Sequence, residues 1–177
     1  EKENFLMIFL HGYGADGSDL FNISNYFSSF MSNIYFMSPD APYDCSMSNF
    51  GKEWFPIEKI PYGAIDASRE FLEFLEKESE SLSIPFEKII LFGFSQGAML
   101  SLQSLLLSPK KLGAVFAFSG GLTSVNIESS KKFINNGHHQ NYKTPILLVH
   151  GEKDEVVPFA SLNTTQELLE EIGFSIK

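Results

Sequence analysis

The 177-residue chain is long enough for one domain with a sizeable hydrophobic core and too short for two ordinary domains. Hydrophobic residues make up 44% of it and charged residues 20%, which is typical of soluble globular proteins and not of disordered ones. The formal net charge of -9 argues against a function based on non-specific attraction to nucleic acid or to an anionic membrane face.

The chain carries no signal that places it in a membrane or an oxidising compartment. Cys45 is its one cysteine, so no internal disulfide can form, and a cytoplasmic location fits this count. No apolar run approaches the roughly 20 residues of a membrane span, and we therefore expect no stable membrane insertion. The first residue is Glu and not Met, so we expect the natural N-terminus to lie outside these residues.

Short apolar runs alternate with stretches of helical spacing along the whole chain. The runs 5–10, 34–37, 88–92, 113–118 and 145–149 predict β-strands. Because these runs are hydrophobic almost throughout, they favour a parallel sheet covered on both faces. Helices are predicted at 19–31, 64–82, 96–107 and 159–172, from the spacing of their apolar residues.

This alternation predicts a single α/β domain over residues 1–177, with a doubly wound, mostly parallel sheet. Two segments, 39–63 and 123–144, show no regular pattern and are predicted to be long irregular loops. Loops of this length in a compact domain tend to be functional or disordered.

A serine lies between two glycines where the third predicted strand meets a predicted helix. The stretch Gly93-Phe94-Ser95-Gln96-Gly97 fits the nucleophile elbow, in which a sharp strand-to-helix turn exposes the serine hydroxyl. Ser95 is thus the predicted nucleophile, and the backbone N–H of Gln96 is a predicted oxyanion donor. The alternative is a glycine-rich turn in which Ser95 only caps the helix.

The loop after the first strand is the predicted source of a second oxyanion donor. It reads Leu10-His11-Gly12-Tyr13-Gly14, and its glycines allow backbone N–H groups to approach a ligand closely. We predict that the N–H of Tyr13 is this donor. The alternative is an ordinary glycine turn with His11 as a hydrogen-bonded structural histidine.

The turn after the fifth strand supplies a candidate acid. Asp154 lies where a carboxylate can project from the carboxyl edge of the sheet, and it follows Ser95 in the chain order of this fold. The alternative is that Asp154 is one of several acidic residues in a solvated turn, since Glu152 and Glu155 are its near neighbours.

Several segments together resemble the α/β-hydrolase phospholipase/carboxylesterase family, which includes acyl-protein thioesterases. They are HGYGADGSDL (11–20), GFSQGAML (93–100), SGGL (119–122) and HGEKDEVVP (150–158), and residues 38–57 are similar to the loop that leads to the family's substrate groove. The likeness extends in order through almost the whole chain, which makes it far more specific than the serine motif alone.

The resemblance implies an α/β-hydrolase fold and serine hydrolysis of carboxylic esters or thioesters, on small molecules or acylated proteins, with neither a metal nor an organic cofactor. It implies that Ser95 is the nucleophile, that Asp154 is the acid, and that the backbone amides of Tyr13 and Gln96 form the oxyanion hole. It also implies that Trp54 and Phe55 line or border the acyl site; ordinary core packing is the alternative for these two. Exposed aromatic residues around such a groove are compatible with a homodimer.

The sequence does not supply a general base where the family has one. The family's catalytic histidine lies in a Gly-His pair after one further strand, beyond the helix predicted to end near Gly173. His11 and His150 do not match that position, and Gly137-His138 precedes Asp154, against the chain order.

Three explanations compete. We favour a chain shortened at the C-terminus, so that the last strand and the catalytic histidine lie outside it. The others are a non-catalytic acyl- or lipid-binding remnant of the fold, and a surrogate base at His138 or His139. Because serine without a base is a weak nucleophile, we expect the 177-residue chain by itself to be nearly inactive.

Overall fold

The computed structural model describes residues 4–135 and 140–176. Its strands, in chain order, are β1 (Phe5–Leu10), β2 (Ile34–Met37), β3 (Tyr43–Asp44), β4 (Lys52–Glu53), β5 (Ile89–Phe94), β6 (Ala114–Phe118) and β7 (Ile146–Val149). Five of them form a parallel sheet in the order β2-β1-β5-β6-β7, while β3 and β4 form a separate antiparallel pair. Beyond β7, Ile176 forms a single parallel bridge to Ile146.

The connections between parallel strands contain the helices. They are α1 (Ser18–Phe21), α2 (Ser24–Ser28), α3 (Tyr62–Leu82), α4 (Gln96–Leu107), α5 (Ser124–Asn135) and α6 (Ala160–Glu171). The predicted α/β-hydrolase fold class, with a mostly parallel sheet and flanking helices, is confirmed. Within the described part of the chain, no helix combines the length and the apolar character needed to cross a membrane.

Both faces of the sheet are buried, because successive side chains of a strand point to opposite faces. In β1, Leu6, Ile8 and Leu10 face the larger core, which α3, α4, α5 and α6 cover. Met7 and Phe9 face a second, smaller core, which residues of the α1–α2 region cover. This is why the strand sequences are hydrophobic almost throughout and do not alternate with polar residues.

The smaller core is built largely from phenylalanine. Phe9 and Phe92 lie on adjacent strands with ring centroids 5.3 Å apart, and Phe92 stacks on Phe118 at 4.7 Å. Phe27, which lies on α2, stacks on Phe116 of β6 with centroids 6.4 Å apart. Part of the chain's high phenylalanine content thus fills the space between two short helices and the sheet.

The prediction of an irregular loop at 123–144 is wrong, because this segment contains α5 and a 3₁₀ turn at Gln140–Lys143. The sequence pattern missed α5 because much of its contact with α4 is polar. Gln103 on α4 donates to the Ser130 hydroxyl at 2.9 Å and accepts from the Asn126 amide at 2.7 Å. A helix that packs through buried hydrogen bonds shows no continuous apolar stripe in its sequence.

The single helix predicted for 19–31 is also wrong, since the structure has α1 and α2 there, separated at Asn22–Ile23. Serine side chains in this segment bond to the backbone: the Ser28 and Ser29 hydroxyls donate to the carbonyls of Asn25 and Tyr26. Such local bonds compete with helix continuation. The predicted loop 39–63 is partly ordered, because it contains the β3–β4 pair.

Candidate active site

Ser95 occupies a sharp turn between β5 and α4. Its backbone has φ 51° and ψ −113°, a conformation that is strained for a residue with a side chain. A Cβ on Gly93 would lie 2.4 Å from the Gly97 carbonyl oxygen, and a Cβ on Gly97 would lie 2.0 Å from that of Leu10. Both glycines are therefore required by close backbone approach, which is the geometry of the nucleophile elbow. Ser95 itself is partly exposed.

The loop after β1 lies beside this serine. A Cβ on Gly12 would be 3.5 Å from the Ser95 Cβ, so the structure brings the predicted second donor, Tyr13, close to the elbow. The Tyr13 phenol oxygen accepts from the Met47 N–H at 3.0 Å, and its side chain is thus turned to the β3–β4 turn. Within residues 4–135 and 140–176, neither the Tyr13 nor the Gln96 backbone N–H donates to a protein acceptor.

Asp154 lies at the same sheet edge as Ser95, two strands away. The Ser95 N–H donates to the Phe118 carbonyl at 2.8 Å, and the Ser119 N–H donates to the Val149 carbonyl at 2.9 Å. These bonds tie together the carboxyl ends of β5, β6 and β7. The predicted nucleophile and the predicted acid therefore share one edge, with Ser119 between them.

The Asp154 carboxylate is held in its charged form by the turn that carries it. Oδ1 accepts from the N–H groups of Val156 and Val157, each at 2.9 Å. These bonds, first that from Val157 and then that from Val156, lower the pKa of Asp154, and the Ser119 hydroxyl and nearby His150 lower this pKa further. The side chain keeps 17% of its surface exposed, and Oδ2 lies 3.6 Å from His150 Nε2.

The polar contacts described for the two described histidines join neither ring to the Ser95 hydroxyl. The ring of His11 is buried, with Nδ1 bonded to the Gly12 carbonyl and Nε2 accepting from the Ala41 N–H at 3.0 Å. The ring of His150 is also buried, and its Nε2 lies 2.8 Å from the Val157 carbonyl and 3.6 Å from the Asp154 carboxylate. His138 and His139 lie outside the described residues.

Trp54 and Phe55 are buried, at 5% and 2% exposure, directly after β4. The Trp54 indole N–H donates to the His11 carbonyl at 2.9 Å, and its ring borders a cavity of about 210 Å³ against α3. The Phe55 carbonyl accepts from the Gln96 side chain. Both residues thus support the walls behind the elbow, and the expectation that they contact an acyl group stays a prediction.

A second cavity, of about 80 Å³, adjoins the elbow on its α4 side. Met99, whose N–H donates to the Ser95 carbonyl at 3.1 Å, is one of its walls. The other walls include Ile60 and Ala64 near the start of α3, Gly121 after β6, and Val157 in the turn that carries Asp154. This cavity is mostly apolar and lies between the elbow and the Asp154 turn.

Sequence reasoning missed two residues that shape the site. The Ser119 hydroxyl helps to lower the pKa of Asp154, and the SGGL segment after β6 was the one signal that could have indicated it. Gly120 packs against the elbow, where a Cβ would lie 2.5 Å from the Ser95 carbonyl oxygen. A larger residue at position 120 would displace Ser95.

Known proteins are similar to this chain in sequence and in fold. Residues 1–175 match the sequence profile of the family described as Phospholipase/Carboxylesterase. The chain belongs to the phospholipase/carboxylesterase family. It is 31% identical to acyl-protein thioesterase 1 of Candida albicans over 95% of its own length and 78% of that protein's. It is 32% identical to a probable carboxylesterase of Oryza sativa over 98% of its length and 68% of that protein's.

Solved structures place the chain in the same family. The crystal structure of esterase PE8 superposes with a TM-score of 0.87 at 32% identity, covering 99% of this chain and 81% of that one. Arabidopsis thaliana SOBER1 superposes with a TM-score of 0.81 at 28% identity, covering 98% and 86%. As a phospholipase/carboxylesterase family member with such relatives, the chain is a hydrolase of the ester or thioester class.

Proposed function

We propose that this hydrolase works by serine catalysis, through an acyl-enzyme formed on Ser95. The observation that carries the proposal is the strained elbow at Ser95, which faces the Gly12–Tyr13 turn and shares a sheet edge with Asp154. Backbone strain at a single polar residue, next to unpaired backbone donors, is characteristic of a site that stabilises charge developing during a reaction.

The reaction has two half-steps. In the first, the Ser95 Oγ gives its proton to an imidazole base and bonds to the carbonyl carbon of the substrate. The N–H groups of Tyr13 and Gln96 stabilise the resulting oxyanion; the C–O or C–S bond then breaks, and the leaving alcohol or thiol takes the proton. In the second, water attacks the acyl-enzyme by the same route and releases the carboxylic acid.

The base is the one member of the triad that the described residues do not supply. Neighbouring strands lie about 4.8 Å apart, so the ends of β5 and β7 are roughly 10 Å apart, enough for an imidazole with a hydrogen bond on each side. We propose that a histidine outside the described residues fills this gap in the full-length protein. A protein without that histidine should hydrolyse substrate slowly, because losing one triad member removes most of the rate.

The cavity bordered by Met99 and Val157 is the proposed acyl site. Its lining is mostly apolar and its volume is about 80 Å³, which supports an acyl group as the recognised part of the substrate. The alcohol or thiol part, on a small molecule or an acylated protein, would lie toward solvent. We also propose a cytoplasmic location, which rests on the cysteine content alone.

A panel of esters and thioesters of increasing acyl length, assayed with full-length protein, tests the proposal. We expect turnover that Ser95→Ala reduces by at least about a thousandfold, because the nucleophile is lost. Turnover that survives this substitution would refute the serine mechanism. Saturable acyl binding without product, in the full-length protein, would instead support a non-catalytic acyl-binding protein. This second candidate is favoured because no described contact joins a described histidine to the Ser95 hydroxyl.

A further inference from the structure

The two proposed oxyanion donors belong to different parts of the chain. Tyr13 lies in the turn after β1, and Gln96 opens α4, more than 80 residues later. An oxyanion hole works only when both N–H groups point at one oxygen with hydrogen-bond distances of about 2.7–3.1 Å. The structure must therefore hold the spacing between these two turns.

A short segment of residues 52–55, β4 and the two residues after it, contacts both turns. On one side it pairs with the loop that carries Tyr13. The Gly14 N–H donates to the Lys52 carbonyl at 2.9 Å, and the Lys52 N–H donates to the Ala15 carbonyl at 2.7 Å. This antiparallel bridge fixes the loop two residues beyond the proposed donor.

On the other side, the same segment is held by the side chain of Gln96. Its Oε1 accepts from the Trp54 N–H at 2.8 Å, and its Nε2 donates to the Phe55 carbonyl at 2.7 Å. The carboxamide thus pairs with the segment as a neighbouring strand would, and it is 3% exposed. Its two bonds are fully desolvated, and an unmatched group there would carry the penalty of a buried unpaired polar atom.

The Trp54 indole connects residues 52–55 to the chain just before Tyr13. It donates to the carbonyl of His11, two residues before Tyr13. The path from one donor to the other therefore runs from Gln96 to Trp54 and from Trp54 to His11, through buried hydrogen bonds made by the side chains of Gln96 and Trp54. None of these contacts uses the backbone N–H groups of Tyr13 and Gln96 themselves.

We infer that the Gln96 side chain is a positioning residue, which sets the spacing of the two oxyanion donors through residues 52–55. This inference rests on the proposed function, and it adds a role for the carboxamide that is separate from the backbone donor of the same residue. Because the donors act on charge that develops in the transition state, loosening this link lowers kcat and leaves KM nearly unchanged.

Gln96→Met in the full-length protein isolates the carboxamide. Methionine keeps the length of the side chain and the backbone N–H, and removes both side-chain bonds. A misplacement of about 1 Å in a catalytic group lowers the rate by about a hundredfold. We expect kcat to fall between about tenfold and a hundredfold, with KM within about threefold of wild type.

Gln103→Met is the matched control. Gln103 is a second fully buried glutamine of α4 whose carboxamide also makes two bonds, to Ser130 and Asn126, two turns away from Ser95. Both substitutions should lower the melting temperature. Only Gln96→Met should lower kcat, and only Gln96→Met should accelerate amide hydrogen exchange in residues 12–15 and 52–55.

The outcomes separate the two proposals. If wild type hydrolyses esters or thioesters, and the two glutamine variants show the same kcat and the same exchange in residues 12–15, the positioning role is refuted and the serine mechanism stands. If wild type shows no hydrolysis, the proposed function fails and the catalytic role of the Gln96 side chain fails with it. A selective fall of kcat in Gln96→Met, with selective exchange in residues 12–15, supports the inference.

Discussion

Gly97→Ala perturbs a close backbone contact between the start of α4 and the end of β1. A Cβ at this position would lie 2.0 Å from the Leu10 carbonyl oxygen and 2.8 Å from that of His11. The first distance is about 1.4 Å short of the 3.4 Å at which ordinary contact begins. Leu10 is the fully buried last residue of β1, so no flexible side chain can move aside, and the backbone of β1 or α4 has to shift.

The expected effect is large for the addition of one methyl group. Overpacking of this kind costs about 2–3 kcal/mol, which for a chain of this size lowers the melting temperature by about 5–10 °C. The shift occurs three residues before Tyr13 and two residues after Ser95, so it also separates the nucleophile from the oxyanion loop. We expect kcat to fall by about a hundredfold.

Thermal unfolding and steady-state kinetics of the full-length protein measure both effects. Gly151→Ala is the stability control, because the nearest atom to a Cβ there is the Asp154 nitrogen at 4.0 Å. We expect that control to stay within about 0.5 kcal/mol of wild type. A Gly97→Ala variant with wild-type stability and wild-type kcat would refute the close approach of α4 to β1.

Three further predictions concern charge and packing. Backbone N–H bonds, first that of Val157, lower the pKa of Asp154. The contribution of this carboxylate to stability should therefore be complete above about pH 5 and lost as the pH falls below about 4. The difference in melting temperature between wild type and Asp154→Ala should shrink over that range, and a constant difference would contradict the assignment. Phe9→Ala, at a fully buried side chain, should lower the free energy of unfolding in urea by about 3–5 kcal/mol. Phe30→Ala, at a side chain that is 71% exposed, should lower it by less than about 0.5 kcal/mol. Equal effects would contradict the described second core. Ser104→Ala should raise the melting temperature, since the buried Ser104 hydroxyl has no partner among the described residues; a fall would show that this hydroxyl is bonded.

The sheet was predictable because burial on both faces requires strands that are apolar at nearly every position. β1 and β2 coincide with the predicted runs 5–10 and 34–37, and α4 coincides with the predicted helix 96–107. The two strands consist of aliphatic and aromatic residues, and most residues of α4 are apolar. In contrast, α5 packs on α4 through hydrogen bonds to Gln103. A periodic pattern of apolar residues does not predict a helix that packs through such polar contacts.

The candidate site shows the same division between local and long-range information. The elbow was predictable because Gly93, Ser95 and Gly97 act within five residues of one another. The bond between Gln96 and Trp54, 42 residues apart in sequence, and the place of Ser119 between Ser95 and Asp154 depend on how separate strand ends meet. Motif spacing carries no signal for such pairs, so their roles emerge only from the fold.

The most direct test of the central claim is active-site labelling of the full-length protein with an activated fluorophosphonate, followed by peptide mapping. The account predicts one adduct, on Ser95, with loss of esterase or thioesterase activity in proportion to labelling and no adduct in Ser95→Ala. An active protein that carries no adduct on Ser95, or one that keeps its activity when Ser95 is fully labelled, would contradict it.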